Sequence, residues 1–324
     1  MNAIRKMGED KMKRLFLVLA LVMSVGLAGC GNKVAIDKNK LQVVTTVFAT
    51  YDFARQVGGD KVQATMLVPP GAEMHAYEPT PQDIKKIKDS QVFVYVGGES
   101  DEWVKKILSS VDSKNLKVIR LLDTVKPVEE VIKPGMTEEK KDTAELGEKE
   151  YDEHVWTSPE NAMKISAKLA EVFSTVDSAN KSIYEKNYLA YAAKLTALDK
   201  KFKDIVAHGN RKVVVFGDRF PLRYFVDAYG FDYFAAFPGC ARDTEPSAST
   251  VAFLIDKVNA EKIPVVFHIE LSNEKIAKAI ASATGAKVLQ FNTCHNVPKD
   301  QFEKGVTYMS LMEENAKALK EALQ

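Results

Sequence analysis

Residues 62–68, Val-Gln-Ala-Thr-Met-Leu-Val, run straight into Pro69-Pro70-Gly71-Ala72-Glu73-Met74-His75-Ala76-Tyr77-Glu78-Pro79-Thr80-Pro81-Gln82-Asp83. The first seven residues read as an apolar strand. From Pro81 the pattern turns helical. The loop between them is stiffened by Pro69, Pro70, Pro79 and Pro81. It carries one histidine, His75, at the carboxyl end of a strand, where open α/β sheets place ligand sites. His75 is therefore read as a metal ligand, and the question becomes which residues join it.

The chain around this loop alternates strand and helix. Strands are expected over 41–48, 62–68, 92–96 and 118–122, with helices over 51–57, 81–88 and 102–111. The run Val92-Phe93-Val94-Tyr95-Val96, closed by Gly97-Gly98, has the continuous apolar character of a buried parallel strand. After Ser158-Pro159-Glu160, a serine able to cap and a proline suited to a first helical turn, a helix runs to about residue 176. A second helical pattern covers about 28 residues up to Ala207, roughly 40 Å at 1.5 Å per residue. The βα alternation then restarts, with strands expected at 213–216, 233–237, 265–270 and 287–291, and a last amphipathic helix from about 306 to 323. The reading is α/β: two lobes with parallel sheets, residues 41–180 and 208–324, joined by one long rigid helix at 181–207. Residues 135–151 are dense in mixed charge and read as a solvated surface loop.

The chain has 324 residues, 46% hydrophobic and 27% charged, enough to build two packed cores. Its formal net charge of +1 argues against a polyanionic partner such as nucleic acid. The N-terminus reads as an export signal: a basic cluster, Lys11-Met12-Lys13-Arg14, then an apolar run, then Leu27-Ala28-Gly29-Cys30. The run is too short for a comfortable membrane span. The Leu-Ala-Gly-Cys stretch resembles a bacterial lipobox, which would make Cys30 the lipid-bearing first residue, residues 1–30 a signal peptide and residues 31–40 a tether. Met12 is a second candidate start, because the first eleven residues fit no part of a signal. Beyond Cys30, only Cys240 and Cys294 remain. In an exported chain these form either a disulfide or two packed thiols.

Three of the five histidines, His75, His154 and His295, lie just after expected strands or just before expected helices. Loops at the carboxyl ends of strands in two facing lobes converge on the cleft between them. Imidazole is a good ligand for Zn(II) and its late first-row neighbours.

Here a resemblance becomes specific. The residue 69–83 stretch resembles the first ligand motif of the zinc/manganese solute-binding proteins of ABC transporters, the cluster A-I or ZnuA-like family. Asp152-Glu153-His154-Val155-Trp156-Thr157-Ser158-Pro159 resembles its second motif. Tyr184, Asn187, Tyr191, Leu195 and Leu198-Asp199 resemble its linking helix, and Glu245-Pro246-Ser247 a further signature. The likeness covers residues 41–324 and implies a metal site in the interlobe cleft. By that resemblance His75 and His154 are the first two ligands. The third should fall within Gly217-Asp218-Arg219-Phe220, which has neither His nor Glu; Asp218 is the candidate there, with Arg219 the other residue in register. His295 aligns best with the fourth. Glu270 matches a carboxylate near the site, as ligand or as the partner that orients a histidine. Cys240 and Cys294 resemble a disulfide of some members, with Cys294 as a thiolate ligand the alternative.

The implied function is an exported, lipid-anchored, monomeric protein that captures Zn(II), or less readily Mn(II), and delivers it to an ABC permease in the cell membrane. The rival reading is a secreted zinc-dependent hydrolase with Glu73 or Glu270 as general base, although no HExxH helix or similar motif is present. A surface adhesin, the third reading, has no sequence feature in its favour.

Overall fold

A computed structural model describes residues 36–74, 77–110, 115–137, 150–241 and 245–324. Residues 38–324 form one compact unit. Its first half contains β1 (Leu41–Thr45), α1 (Phe48–Gly58), β2 (Val62–Met66), α2 (Pro81–Asp89), β3 (Val92–Tyr95), α3 (Glu102–Ser110) and β4 (Lys117–Arg120). Then come α4 (Pro159–Val176) and the 27-residue α5 (Lys181–Ala207). The second half contains β5 (Val213–Phe220), α6 (Arg223–Tyr229), β6 (Asp232–Pro238), α7 (Ala248–Ala260), β7 (Val265–His268), α8 (Lys275–Thr284), β8 (Lys287–Gln290), α9 (Lys299–Glu303) and α10 (Tyr308–Leu323).

The strands form two four-stranded sheets, ordered β2-β1-β3-β4 and β6-β5-β7-β8. Every pairing is parallel. The period-two alternation of side chains explains the layering. In β1 and β3, Val43, Val92 and Val94 face the inner core, while Val44 and Phe93 face outward onto Ile87 of α2 and Val104 of α3. In β5 and β7, Val214, Phe216, Val265 and Phe267 face inward, and Val215 and Val266 pack on Leu254 of α7 and Ile280 of α8. The inner core is continuous through both halves, and Trp156, Tyr191 and Tyr308 are buried in it.

Helix α5 joins the halves through an apolar stripe, Tyr184, Tyr191, Leu195, Leu198 and Phe202, all buried at spacings of three, four and seven. Near its start, Asn187 donates to Val57 O of α1 at 3.1 Å. Further along, Asp199 accepts from Tyr229 of α6 at 3.0 Å. The long helix therefore grips one lobe with each half of its length.

Three local expectations change, and one helix arrives unannounced. The strand expected over 41–48 stops at Thr45, because Phe48 already opens α1. The strand expected over 213–216 continues to Phe220, so Asp218 and Arg219 lie on β5 rather than in a loop. Ser158 holds the cap position of α4 without a side-chain hydrogen bond. Helix α9 is short and polar, with no apolar period to announce it. The charged stretch 138–149 lies outside the described residues, as do Met12 and Cys30.

Candidate metal centre

His154 sits at the entrance to a short 3-10 turn, Val155–Thr157, that leads into α4. It is fully buried. Asp152 Oδ1 accepts from the His154 backbone N–H at 2.8 Å and lies 3.2 Å from ring Nδ1. When Nδ1–H is donated to this carboxylate, Nε2 is the nitrogen that carries the lone pair. Burial works to lower the His154 pKa. The Asp152 carboxylate, by charge and hydrogen bond, with Glu153 and Glu130 behind it, outweighs burial and raises it. Asp152 is held in turn across the lobes: its carbonyl accepts from Tyr224 Oη of α6 at 2.9 Å, and Tyr224 Oη accepts from Val128 N at 3.2 Å.

His295 lies in the segment that leaves the carboxyl end of β8. Glu270, just past β7, holds that segment from beneath. Its buried carboxylate accepts from Thr293 N at 2.7 Å, Thr293 Oγ1 at 2.6 Å and His295 N at 3.1 Å. Burial raises the Glu270 pKa, and these hydrogen bonds pull it back. The segment is also stitched to the first lobe. Trp156 Nε1 donates to Thr293 O at 2.8 Å. Phe48 N and Ala49 N donate to His295 O and Cys294 O at 3.0 and 3.2 Å. Asn296 Nδ2 donates to Pro69 O and Ala72 O, both at 2.8 Å. Those carbonyls begin the proline-rich loop, whose far end is fixed by a reciprocal Thr80–Asp83 capping box at the start of α2.

The outcome is that His154 of the first lobe and His295 of the second stand edge-on, ring centroids 5.1 Å apart and planes at 87°. Trp156 flanks both rings. His295 Nε2 is turned toward the 69–83 loop, where it meets Met74 Sδ at 2.6 Å. His75, the next residue, lies outside the described residues. Among the described residues, no three His, Cys, Asp or Glu side chains form a group able to hold a metal.

Two expected site residues have other engagements. Asp218 accepts from Arg219 N at 2.8 Å and Ile269 N at 3.4 Å, so its carboxylate staples β5 to the exit of β7. Glu270 is committed to the 293–295 backbone. The stretch where the resemblance calls for a third ligand begins at Gly217, and there is no room for a side chain at that position. A Cβ on Gly217 would stand 2.5 Å from Ala277 Cα and 2.6 Å from Ala277 N of α8.

The expected disulfide is absent: Cys240 and Cys294 are free thiols. Their surroundings differ. Cys240 N donates to Glu130 Oε1 at 3.0 Å, on the acidic side of the His154 turn. Cys294 adopts φ 58° and is wholly buried in the interlobe core, and burial raises its thiol pKa well above the ordinary value. His268, at the end of β7, bonds the neighbouring Ile269 O and is a packing residue. The role of Asp152 was not read from the sequence, although a carboxylate two residues before a histidine was its signal.

Two parallel α/β lobes spanned by one helix, with an imidazole from each lobe meeting between them, define a bilobal solute-binding protein. The chain belongs to the ZnuA family: the family model described as zinc-uptake complex component A, periplasmic, matches residues 43–322. The high-affinity zinc uptake system protein ZnuA of Bacillus subtilis is 31% identical over 321 residues, 97% of this chain and 98% of that protein. The zinc-binding lipoprotein AdcA of Streptococcus pneumoniae serotype 4 is 32% identical over 314 residues, 96% of this chain. The chain spans 61% of that relative's length. The crystal structure of the Zn(II)-bound ZnuA-like domain of S. pneumoniae AdcA superposes with a TM-score of 0.71 at 31% identity, covering 88% of this chain and 99% of that one. The family model's description and both relatives' names speak of zinc uptake and zinc binding, which favours the solute-binding reading over the hydrolase.

Proposed function

We propose that this chain captures Zn(II) between its lobes through His75, His154 and His295 and passes it to an ABC permease. The observation that carries the reading is the pair His154–His295. With a Zn–N distance of about 2.1 Å and a tetrahedral angle, two imidazoles sharing one zinc have ring centroids about 5 Å apart. The two rings stand 5.1 Å apart. Asp152 orients one of them and Glu270 the backbone of the other, the arrangement that outer-shell carboxylates give to zinc-ligating histidines. Asp218 and Glu270 serve this site by holding the frame rather than by ligation. A set rich in imidazole favours Zn(II) over Mn(II), which prefers oxygen donors.

The relatives' names support the assignment, two of them naming zinc and one of these a lipoprotein. On this reading residues 1–30 are a lipoprotein signal, Cys30 anchors a monomer to the outer face of the cell membrane, residues 31–40 are its tether, and 41–180, 181–207 and 208–324 are lobe, linking helix and lobe. No helix of the described residues is long and apolar enough to cross a membrane.

Native mass spectrometry with Zn(II) and Mn(II) tests the site. The parent should retain one zinc, while His75→Ala, His154→Ala and His295→Ala should lose it under the same chelator challenge; Asp218→Ala should keep it. Retention of zinc by His295→Ala at parental affinity would overturn the ligand set.

A further inference from the structure

Between Phe216 and Arg219 the register of β5 against β6 slips. Phe216 pairs with Ala235 and Arg219 with Phe237, so Gly217 and Asp218 together oppose one residue. Such a bulge re-aims the side chain that follows it, and bulges are common beside functional sites. Here both bulged residues are pinned. Gly217 is pressed against the α8 backbone at Ala277, and Asp218 accepts from Arg219 N and Ile269 N. The side chain that follows is Arg219. Its Nη1 donates to Ala241 O of its own lobe at 3.2 Å. Its Nη2 donates to Glu73 Oε2 of the proline-rich loop at 2.7 Å. The Arg219 side chain is only 12% exposed, whereas that of Glu73 is 47% exposed. Glu73 is two residues from His75, and its other oxygen accepts from Met74 N at 3.1 Å. The arginine thus ties the second lobe to the loop at Glu73, one residue past Asn296's two carbonyl contacts.

The geometry points to Arg219 as a positioning residue whose ion pair with Glu73 holds residues 69–74 against the second lobe and so sets how fast bound metal leaves. This rests on the zinc-capture reading. Arg219 stands in the stretch where the resemblance expects a ligand, but a cation cannot ligate Zn(II). Instead it restrains the neighbour of a ligand from across the cleft. The planar fork suits the task, because one nitrogen can anchor on Ala241 O while another reaches Glu73.

The test separates restraint from simple charge. Through space, deleting the Glu73 charge weakens the hold on a bound cation, while deleting the Arg219 charge strengthens it. Loss of a restraint acts in one direction for both. Zinc release is followed by stopped-flow transfer to a fluorescent chelator for the parent, Glu73→Gln, Arg219→Gln and the double variant. Each single substitution should speed release by about fivefold, the scale of a partly exposed ion pair. The double variant should be no faster than the faster single, because both remove the same link. Raising the salt concentration should speed release from the parent but not from the double variant. Arg219→Lys should restore only part of the slow rate. The proposal is overturned if the two singles move release in opposite directions, if all four proteins release zinc alike, or if the double reaches the product of the singles, about twenty-five-fold. A parent that binds no zinc would instead refute the capture reading. Melting of the metal-free proteins supplies the structural control: variants that melt lower but release zinc at the parental rate would show that the pair serves only the fold.

Discussion

Replacing Glu270 with alanine distinguishes a ligand from a scaffold. In the structure its carboxylate receives Thr293 N at 2.7 Å, Thr293 Oγ1 at 2.6 Å and His295 N at 3.1 Å, with Thr293 and Glu270 both buried. Truncation takes the acceptor from Thr293 N and Thr293 Oγ1 and leaves His295 N only its longer 3.3 Å hydrogen bond to Thr293 Oγ1, at about 1–3 kcal/mol for each buried group that goes unpaired. The hydroxyl can rotate to another partner and water can enter the space, so the lower end applies, about 2 kcal/mol in all. Against a total of about 5–15 kcal/mol for an ordinary domain, that is a large loss. The assay is urea unfolding of the metal-free protein, with zinc affinity measured separately by competition with a chelator. A scaffold role predicts a marked fall in the metal-free unfolding midpoint, with weaker zinc binding following because the His295 backbone is no longer held. Glu270→Gln should fall between, since its carboxamide oxygen still accepts while its nitrogen faces another donor. A ligand role predicts the reverse: zinc binding collapses and the metal-free midpoint stays where it was. That second outcome would refute the assignment of Glu270 to the frame.

Three further outcomes follow from the same structure. Burial first, and then the neighbouring Glu153 charge, push the Asp101 pKa up to about 7 from an ordinary 3.8. A raised folded-state pKa contributes stability that is complete below about pH 4 and is lost as pH rises through about 7. Asp101→Asn keeps an acceptor for Val96 N and Gly97 N, so the metal-free variant should be more stable than the parent at pH 8. Its advantage is capped at about 4 kcal/mol and should vanish near pH 4; a parent whose urea midpoint rises steadily from pH 4 to 8 would contradict this. Zinc affinity should fall as pH drops, and because the His154 pKa is raised, proton competition should begin above the reference histidine value of about 6.5; isothermal titration between pH 5.5 and 8 that shows a flat affinity would sink the imidazole site. Gly217→His, which puts a ligand-type side chain into the third-ligand stretch, should lower the melting temperature without tightening zinc binding, because its Cβ collides with α8 backbone.

The sequence was most informative where one residue's neighbours in the chain decide its environment. The apolar runs of β3, β5 and β7 and the stripe Tyr184, Tyr191, Leu195, Leu198 carry their own periodicity, and both sheets and the long helix follow from them. The site was less legible, since its geometry is settled by partners far along the chain. Phe48 looked like the end of a strand because α1 has no capping side chain of its own; its cap position is Val47, and the missing acceptors are the carbonyls of Cys294 and His295. Asp218 looked like a donor because nothing local reveals the bulge that turns it onto Ile269. The cysteines looked like a pair because export permits one, but Cys294 belongs to the interlobe core.

The two carbonyls that complete α1 have a consequence for protein engineering. The first turn of that helix is finished by peptide groups some 250 positions downstream, and Tyr308 N adds a bond to Asp52 on the same helix at 2.9 Å. A fragment cut within α5 would expose those amides along with the apolar surface around Trp156. A chimera that joins the front half of one relative to the back half of another inherits the same difficulty. The graft that keeps the structure whole is discontinuous: residues 292–297 and the start of α10 have to travel with the front half, although the chain places them at the opposite end.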